Sequence, residues 1–134
     1  MAADLRDEAT ILLVEDFEDN RFMMRRLLEM GGYRVVEAVN GQEAIEAAGR
    51  VRPDLILMDL SLPQLDGLAA TRRIRQLDGL AFTPIVAISA HDTSDFRADA
   101  LAAGCDEYLT KPVDFDRLER LLEDLLARRG RAGA

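Results

Sequence analysis

Four short runs in this chain, three of them apolar, each end on side chains that can do chemistry. Glu15 and Asp16 follow Ile11 to Val14, Asp59 follows Leu55 to Met58, Ser89 follows Ile85 to Ile88, and Lys111 with Pro112 follows the short run Glu107 to Thr110. Three carboxylates gathered in one place repel one another, and a hard cation such as Mg²⁺ relieves that repulsion while keeping several of its own waters. An aspartate held beside such a cation is a nucleophile toward phosphorus, because the metal offsets charge on the transferred oxygens. A lysine ammonium and a hydroxyl suit the remaining phosphoryl oxygens. The residue types therefore point to formation of an acyl phosphate on Asp59.

That chemistry requires elements that bring the four strand ends together. Ile11 to Val14 reads as a strand buried on both faces, and Glu18 to Met30 as a helix with Phe22, Met23, Leu27 and Met30 at helical spacing, stopped by Gly31-Gly32. Tyr33 to Val39 reads as a second strand, Asn40-Gly41 as a turn and Gln42 to Arg50 as an alanine-rich helix. Leu55 to Met58, ending on Asp59, forms the third strand. Asp66 can cap a helix carrying Leu68, Thr71, Ile74 and Leu77. Ile85 to Ile88, ending on Ser89, forms the fourth strand, followed by a helix from Asp92 to Ala103 closed by Gly104. Glu107 to Thr110 is the fifth strand, and Phe115, Leu118, Leu121, Leu122 and Leu125 give the last helix an apolar stripe. Five strands alternating with five helices predict right-handed crossovers and a parallel α/β sheet covered on both faces. In such sheets ligands bind outside the carboxyl ends of the strands, where the reactive residues stand.

The composition bounds the rest. With 134 residues and 49% hydrophobic content, the chain is expected to form one domain over residues 10–127, between tails 1–9 and 128–134. Five Phe, two Tyr and no Trp leave packing to aliphatic side chains. A net charge of −8 repels phosphate backbones, so direct nucleic-acid binding is not expected. The basic group Arg128, Arg129 and Arg131 is a local exception, read as a solvated helix end. Cys105 is the single cysteine, which excludes an internal disulfide and suits a reducing compartment. No apolar run approaches the roughly 20 residues that span a bilayer, and MAADLRDEAT lacks the apolar segment of a secretory signal, so a cytoplasmic location is expected.

The stretches VED at 14 to 16, LILMD at 55 to 59, the strand ending in Ser89, and YLTKP at 108 to 112 resemble the receiver domains of two-component signalling, in the same order and at similar separations. The likeness covers residues 10 to 127. It implies a flavodoxin-like doubly wound sheet of strand order 2-1-3-4-5 with five helices. It further implies that Asp59 is the phosphoacceptor, that Glu15, Asp16, Asp59 and the backbone carbonyl of Ser61 hold Mg²⁺ or Mn²⁺, and that Lys111 pairs with the carboxylate and then with the phosphoryl group. The bond from Lys111 to Pro112 is expected to be cis. Ser89 takes the family's hydroxyl switch position and Tyr108 its aromatic one, the ring swinging inward when Ser89 moves toward the phosphoryl group. Ser61 and His91, two residues beyond Asp59 and Ser89, take positions that in this family modulate phosphoryl lifetime and donor access. Glu15 stands where Asp is frequent, a longer arm reaching the metal directly or through water.

By the same resemblance the expected partners are a histidine kinase or histidine phosphotransfer protein and a downstream protein bound at the fourth helix, fifth strand and fifth helix. The chain is expected to be a monomer or a phosphorylation-dependent dimer, to assist its own phosphorylation and dephosphorylation without being a turnover enzyme, and, with no output segment after residue 134, to signal through protein contact. Taken singly, each residue has an ordinary reading: Asp59 and Ser89 as turn residues, Glu15-Asp16 as a helix cap, Lys111 and His91 as solvated side chains, Tyr108 as packing, and the glycines, Gly67 among them, as helix punctuation. Two other functions compete with the phosphoacceptor switch. One is an aspartate-nucleophile phosphohydrolase, against which Ser61 stands where such enzymes carry a second Asp. The other is a receiver-like binding module that signals without phosphorylation.

Overall fold

The computed structural model describes residues 9–60, 67–91 and 93–132. Five strands, β1 (Thr10–Val14), β2 (Arg34–Ala38), β3 (Leu55–Asp59), β4 (Ile85–Ser89) and β5 (Glu107–Thr110), pair in parallel in the order β2-β1-β3-β4-β5. Five helices alternate with them: α1 (Glu18–Met30), α2 (Gly41–Val51), α3 (Gly67–Arg75), α4 (Ser94–Ala103) and α5 (Phe115–Ala132). This is the doubly wound sheet expected from the alternation.

Strand residues alternate between two cores, as the twofold period of a strand requires. Leu12, Val14, Ile56, Met58, Ile85 and Ala87 pack with Ala44, Ala48, Ala70, Ile74 and Ala100 of α2, α3 and α4. Ile11, Leu13, Leu57, Val86 and Ile88 face the other way, against Leu28 of α1 and Leu118, Leu122 and Leu125 of α5. Because β1, β3 and β4 are buried on both faces, their sequences are continuously apolar rather than alternating.

Several boundaries differ from expectation. Tyr33 and Val39 lie outside β2, an edge strand of five residues. Gly41, expected in a turn, is the first residue of α2, and Asn40 caps it, its side chain accepting from the Glu43 backbone N–H at 2.8 Å while Glu43 accepts from the Val39 N–H at 3.0 Å. Thr93 caps α4, accepting from the Phe96 N–H at 3.3 Å, so that helix begins at Ser94. Asp66, expected as the cap of α3, and Asp92 lie outside the described residues. At the other end α5 continues past residue 127 to Ala132, and Arg128 pairs with Asp124 one turn earlier.

The largest departure is on α1. Phe22, Met23 and Met30, which recur at helical spacing with Leu27, are solvent-exposed, Phe22 at 62% and Met30 at 78%. Leu28 and the half-buried Met24, spaced one turn apart, face the sheet instead. The flank of the helix beside β2 is polar, with Arg25 bonded to Glu37 at 3.3 Å and to Glu29 at 3.4 Å. Among the described residues no helix is long and apolar enough to cross a membrane.

Candidate functional site

Parallel register sets the site. Val14 lies opposite Met58, Asp59 opposite Ile88, and Ser89 opposite Thr110. The next residues along each strand therefore emerge on one carboxyl rim. Glu15 is held there by its backbone N–H, which donates to Ala38 O at 3.0 Å, and Lys111 by its own N–H, which donates to Ser89 O at 2.8 Å.

One carboxylate oxygen from each of Glu15, Asp16 and Asp59 lies within 4.8 Å of the other two. Asp59 is buried, 3% exposed, whereas Asp16 faces solvent. The Lys111 Nζ donates to Asp59 Oδ2 at 3.1 Å and stands 3.8 Å from Glu15 Oε1. Three acids facing one ammonium leave net negative charge at the rim, the electrostatic condition for a divalent cation with oxygen ligands. The donor set is therefore suited to Mg²⁺ or Mn²⁺.

Glu15 carries the strain of this grouping. Burial pushes its carboxyl up from 4.5 to about 7, and the hydrogen bond and negative charge of Asp59 add to the rise. The Phe17 backbone N–H, donating to Glu15 Oε2 at 3.1 Å, and the Lys111 ammonium oppose it. The shift favours the protonated carboxyl, and a cation bound at the rim would oppose it.

Ser89 is fully buried at the end of β4, and its Oγ accepts from the His91 N–H at 3.1 Å. Tyr108 is buried, 3% exposed, and its hydroxyl donates to His91 O at 2.5 Å. The Lys111-Pro112 peptide bond is cis. Ser61 lies outside the described residues.

Two contributors to the rim escaped the sequence reading. Arg21 donates to the Glu15 carbonyl at 3.1 Å and so ties the turn bearing both acids to α1. Gly67 was read as punctuation, yet a Cβ there would meet Asp59 O at 2.6 Å and Leu60 Cα at 2.8 Å. The helix start packs directly on the backbone of the candidate nucleophile. Gly67→Ala is expected to destabilise the fold by about 1–3 kcal/mol through overpacking and to displace Asp59. Gly49→Ala, where the nearest contact is an ordinary 3.8 Å to Leu77, is expected to be neutral or slightly stabilising. Urea melts of the two variants check this contrast.

Beside Asp59 and Lys111 opens a cleft of about 590 Å³, lined by Met23, Met24 and Leu27 of α1 and by Val113 and Phe115 before and at the start of α5. Of the exposed apolar residues of α1, Met23 borders the reactive rim.

Fold and rim together define a class, a doubly wound parallel sheet whose carboxyl edge sets an acidic cluster against a lysine. The chain belongs to the response regulator receiver domain family, whose model matches residues 11–123. It is 34% identical to the polar-differentiation response regulator DivK of Brucella anthropi, over 87% of this chain and 95% of that protein. It is 37% identical to the transcriptional regulatory protein PrrA of Mycobacterium bovis, over 90% of this chain but 51% of PrrA. Among solved structures it resembles the receiver domain of the sensor histidine kinase PA1611 of Pseudomonas aeruginosa, which has a magnesium ion coordinated in its active-site cleft. That match has a TM-score of 0.83 and 39% identity, covering 89% of this chain and 98% of that one. The chemotaxis protein CheY4 of Vibrio cholerae also matches with a TM-score of 0.83, at 28% identity over 87% of this chain and 98% of that one.

Proposed function

We propose that the chain is a cytoplasmic phosphoacceptor switch of a two-component phosphorelay, with Asp59 as the acceptor. The observation that carries this reading is the buried Asp59 carboxylate held 3.1 Å from the Lys111 ammonium inside the cluster completed by Glu15 and Asp16. One oxygen of Asp59 attacks phosphorus, a P–O bond forms, and the donor's P–N bond breaks with its electron pair returning to the histidine ring nitrogen. Lys111 then transfers its pairing from the carboxylate to the phosphoryl oxygens, and Ser89 supplies a hydroxyl donor. Glu15, Asp16 and Asp59, with the Ser61 carbonyl, hold Mg²⁺ or Mn²⁺, which when bound offsets negative charge on the transferred group. Water later cleaves the acyl phosphate and regenerates Asp59, so the chain resets itself without acting as a turnover enzyme.

The test is intact-protein mass measurement after incubation with acetyl phosphate. One phosphoryl increment is expected with Mg²⁺ and none with EDTA. Uptake independent of a divalent ion would remove the role given to the acidic cluster.

The donor is a histidine kinase or histidine phosphotransfer protein, and the exposed Met23 at the cleft, with the exposed Phe22 next to it on α1, supports a protein surface on that helix. Phe22, with the Arg26 guanidinium 5.8 Å from its ring centroid, is suited as an aromatic anchor. Phe22→Ala is expected to slow transfer from a protein donor about tenfold and to leave uptake from acetyl phosphate unchanged. Equal loss with both donors would place the effect in the fold rather than in docking. The phosphorylated chain is expected to engage its downstream protein through α4, β5 and α5, as a monomer or a phosphorylation-dependent dimer.

A further inference from the structure

The first turn of α4 touches the switch region at two neighbouring residues. The His91 ring stacks on Phe96 with centroids 4.1 Å apart and planes 7° from parallel. The Arg97 guanidinium lies 5.1 Å from the centroid of the Tyr108 ring. Between them, His91 binds on both sides of its backbone, its N–H donating to Ser89 Oγ and its carbonyl accepting from the Tyr108 hydroxyl. The contacts run from Ser89 to His91 and then around a ring, His91 to Phe96, Phe96 along the chain to Arg97, Arg97 to Tyr108 and Tyr108 back to His91.

We infer that Phe96 and Arg97 are positioning residues that hold Ser89 and Tyr108 in place. The inference rests on Asp59 being the phosphoacceptor for its consequence, but its structural part does not depend on that. Each link has a physical basis. A buried tyrosine hydroxyl needs an acceptor, and the His91 carbonyl supplies it. That carbonyl stays in place only while the loop does, and the stacked imidazole fixes the loop to a helix whose cap, Thr93 accepting from Phe96 N–H, secures the same residue. Arg97 adds a cation over the tyrosine ring. Phe96 is 40% exposed, so its side chain is not needed to fill the core. A phosphoryl group that draws on the Ser89 hydroxyl pulls on His91 and, through Phe96, on the start of α4.

The experiment uses the full chain carrying Tyr33→Phe, which leaves Tyr108 as the single tyrosine of the two, labelled with 3-fluorotyrosine and followed by ¹⁹F NMR. In the resting state with Mg²⁺ alone, Tyr108 is expected to give one resonance with little solvent isotope shift, little changed by beryllofluoride. Phe96→Ala and Arg97→Ala are each expected to move it toward the free amino acid and to raise the solvent isotope shift severalfold. Phe96→Trp and Arg97→Lys are expected to restore much of the resting signal, which a nonspecific loosening would not. Phe96→Ala is also expected to change the acyl-phosphate lifetime severalfold. A solvent-exposed Tyr108 in the resting chain, or a resonance unmoved by both alanine variants, overturns the inference. If the resonances behave as expected but no phosphoryl group is taken up, the positioning circuit stands and the phosphoacceptor reading falls.

Discussion

Asp59→Asn is expected to abolish phosphoryl uptake from every donor while the protein stays folded. The amide offers no carboxylate oxygen for attack on phosphorus, so the loss is complete rather than partial. The substitution is close to isosteric in a site 3% exposed, so packing is preserved. It removes the anionic partner of Lys111, 3.1 Å away, and with it part of the charge that attracts the cation. Mg²⁺ affinity is expected to fall about tenfold or more. It also removes two influences that raise the Glu15 carboxyl, the hydrogen bond and the charge of Asp59, while burial, the larger cause, remains. The Glu15 value therefore moves down from about 7 without reaching the ordinary 4.5. Intact mass after donor treatment, a metal titration followed by melting temperature, and a carboxyl ¹³C titration of Glu15 check the three parts. A variant that still accepts a phosphoryl group would transfer the acceptor role to another residue.

Glu15→Gln is expected to act with opposite signs on stability and on chemistry. With its carboxyl pushed up to about 7 from 4.5, the folded chain holds this proton more tightly than the unfolded chain does. Between those values the folded state binds more protons, so the Glu15 contribution falls as pH rises, and above 7 the destabilisation is fully present. Glutamine stays neutral throughout. In EDTA at pH 8 the variant is expected to be more stable than wild type by about 1–2 kcal/mol, a melting-temperature gain of several degrees, after allowance for the open rim and the nearby Lys111. The gap narrows as the pH is lowered toward 4.5. With Mg²⁺ at ten times its dissociation constant, wild type gains about 1.4 kcal/mol through linkage. The variant gains less, and its transfer rate falls about 10-fold to 100-fold. A lower melting temperature for Glu15→Gln in EDTA at pH 8 would mean that burial and crowding do not govern this group.

The elements that place the rim were legible because buried parallel strands write themselves as unbroken apolar runs. Leu55 to Met58 and Ile85 to Ile88 have few other readings, and the reactive residues stand where those runs end. The carboxylates and Lys111 meet as expected because register carries each strand end to one level. Helix α1 was less legible. Phe22, Met23 and Met30 share the helical spacing of a buried face, and local periodicity does not distinguish a face turned to the sheet from one turned outward beside a reactive cleft. Gly67 was hidden for a different reason: its role is close approach to Asp59 O, a contact between segments that no local pattern records. Arg75 is similar, its guanidinium donating to the carbonyls of Leu80, Thr83 and Gly104 and to the Asp106 carboxylate, and so tying the end of α3 to the turns that precede β4 and β5. The inward Tyr108 depends on Arg97 and on the His91 loop, contacts made across the fold.

Residue-level mapping of the modified protein tests the central claim most directly. Wild-type chain treated with acetyl phosphate and Mg²⁺ is reduced with borohydride, which converts an aspartyl phosphate to homoserine, then digested and sequenced by mass spectrometry. The account predicts homoserine at position 59. Homoserine at position 16, an alkali-stable phosphoryl group on Ser89, or no modification under conditions that saturate the metal site would contradict it.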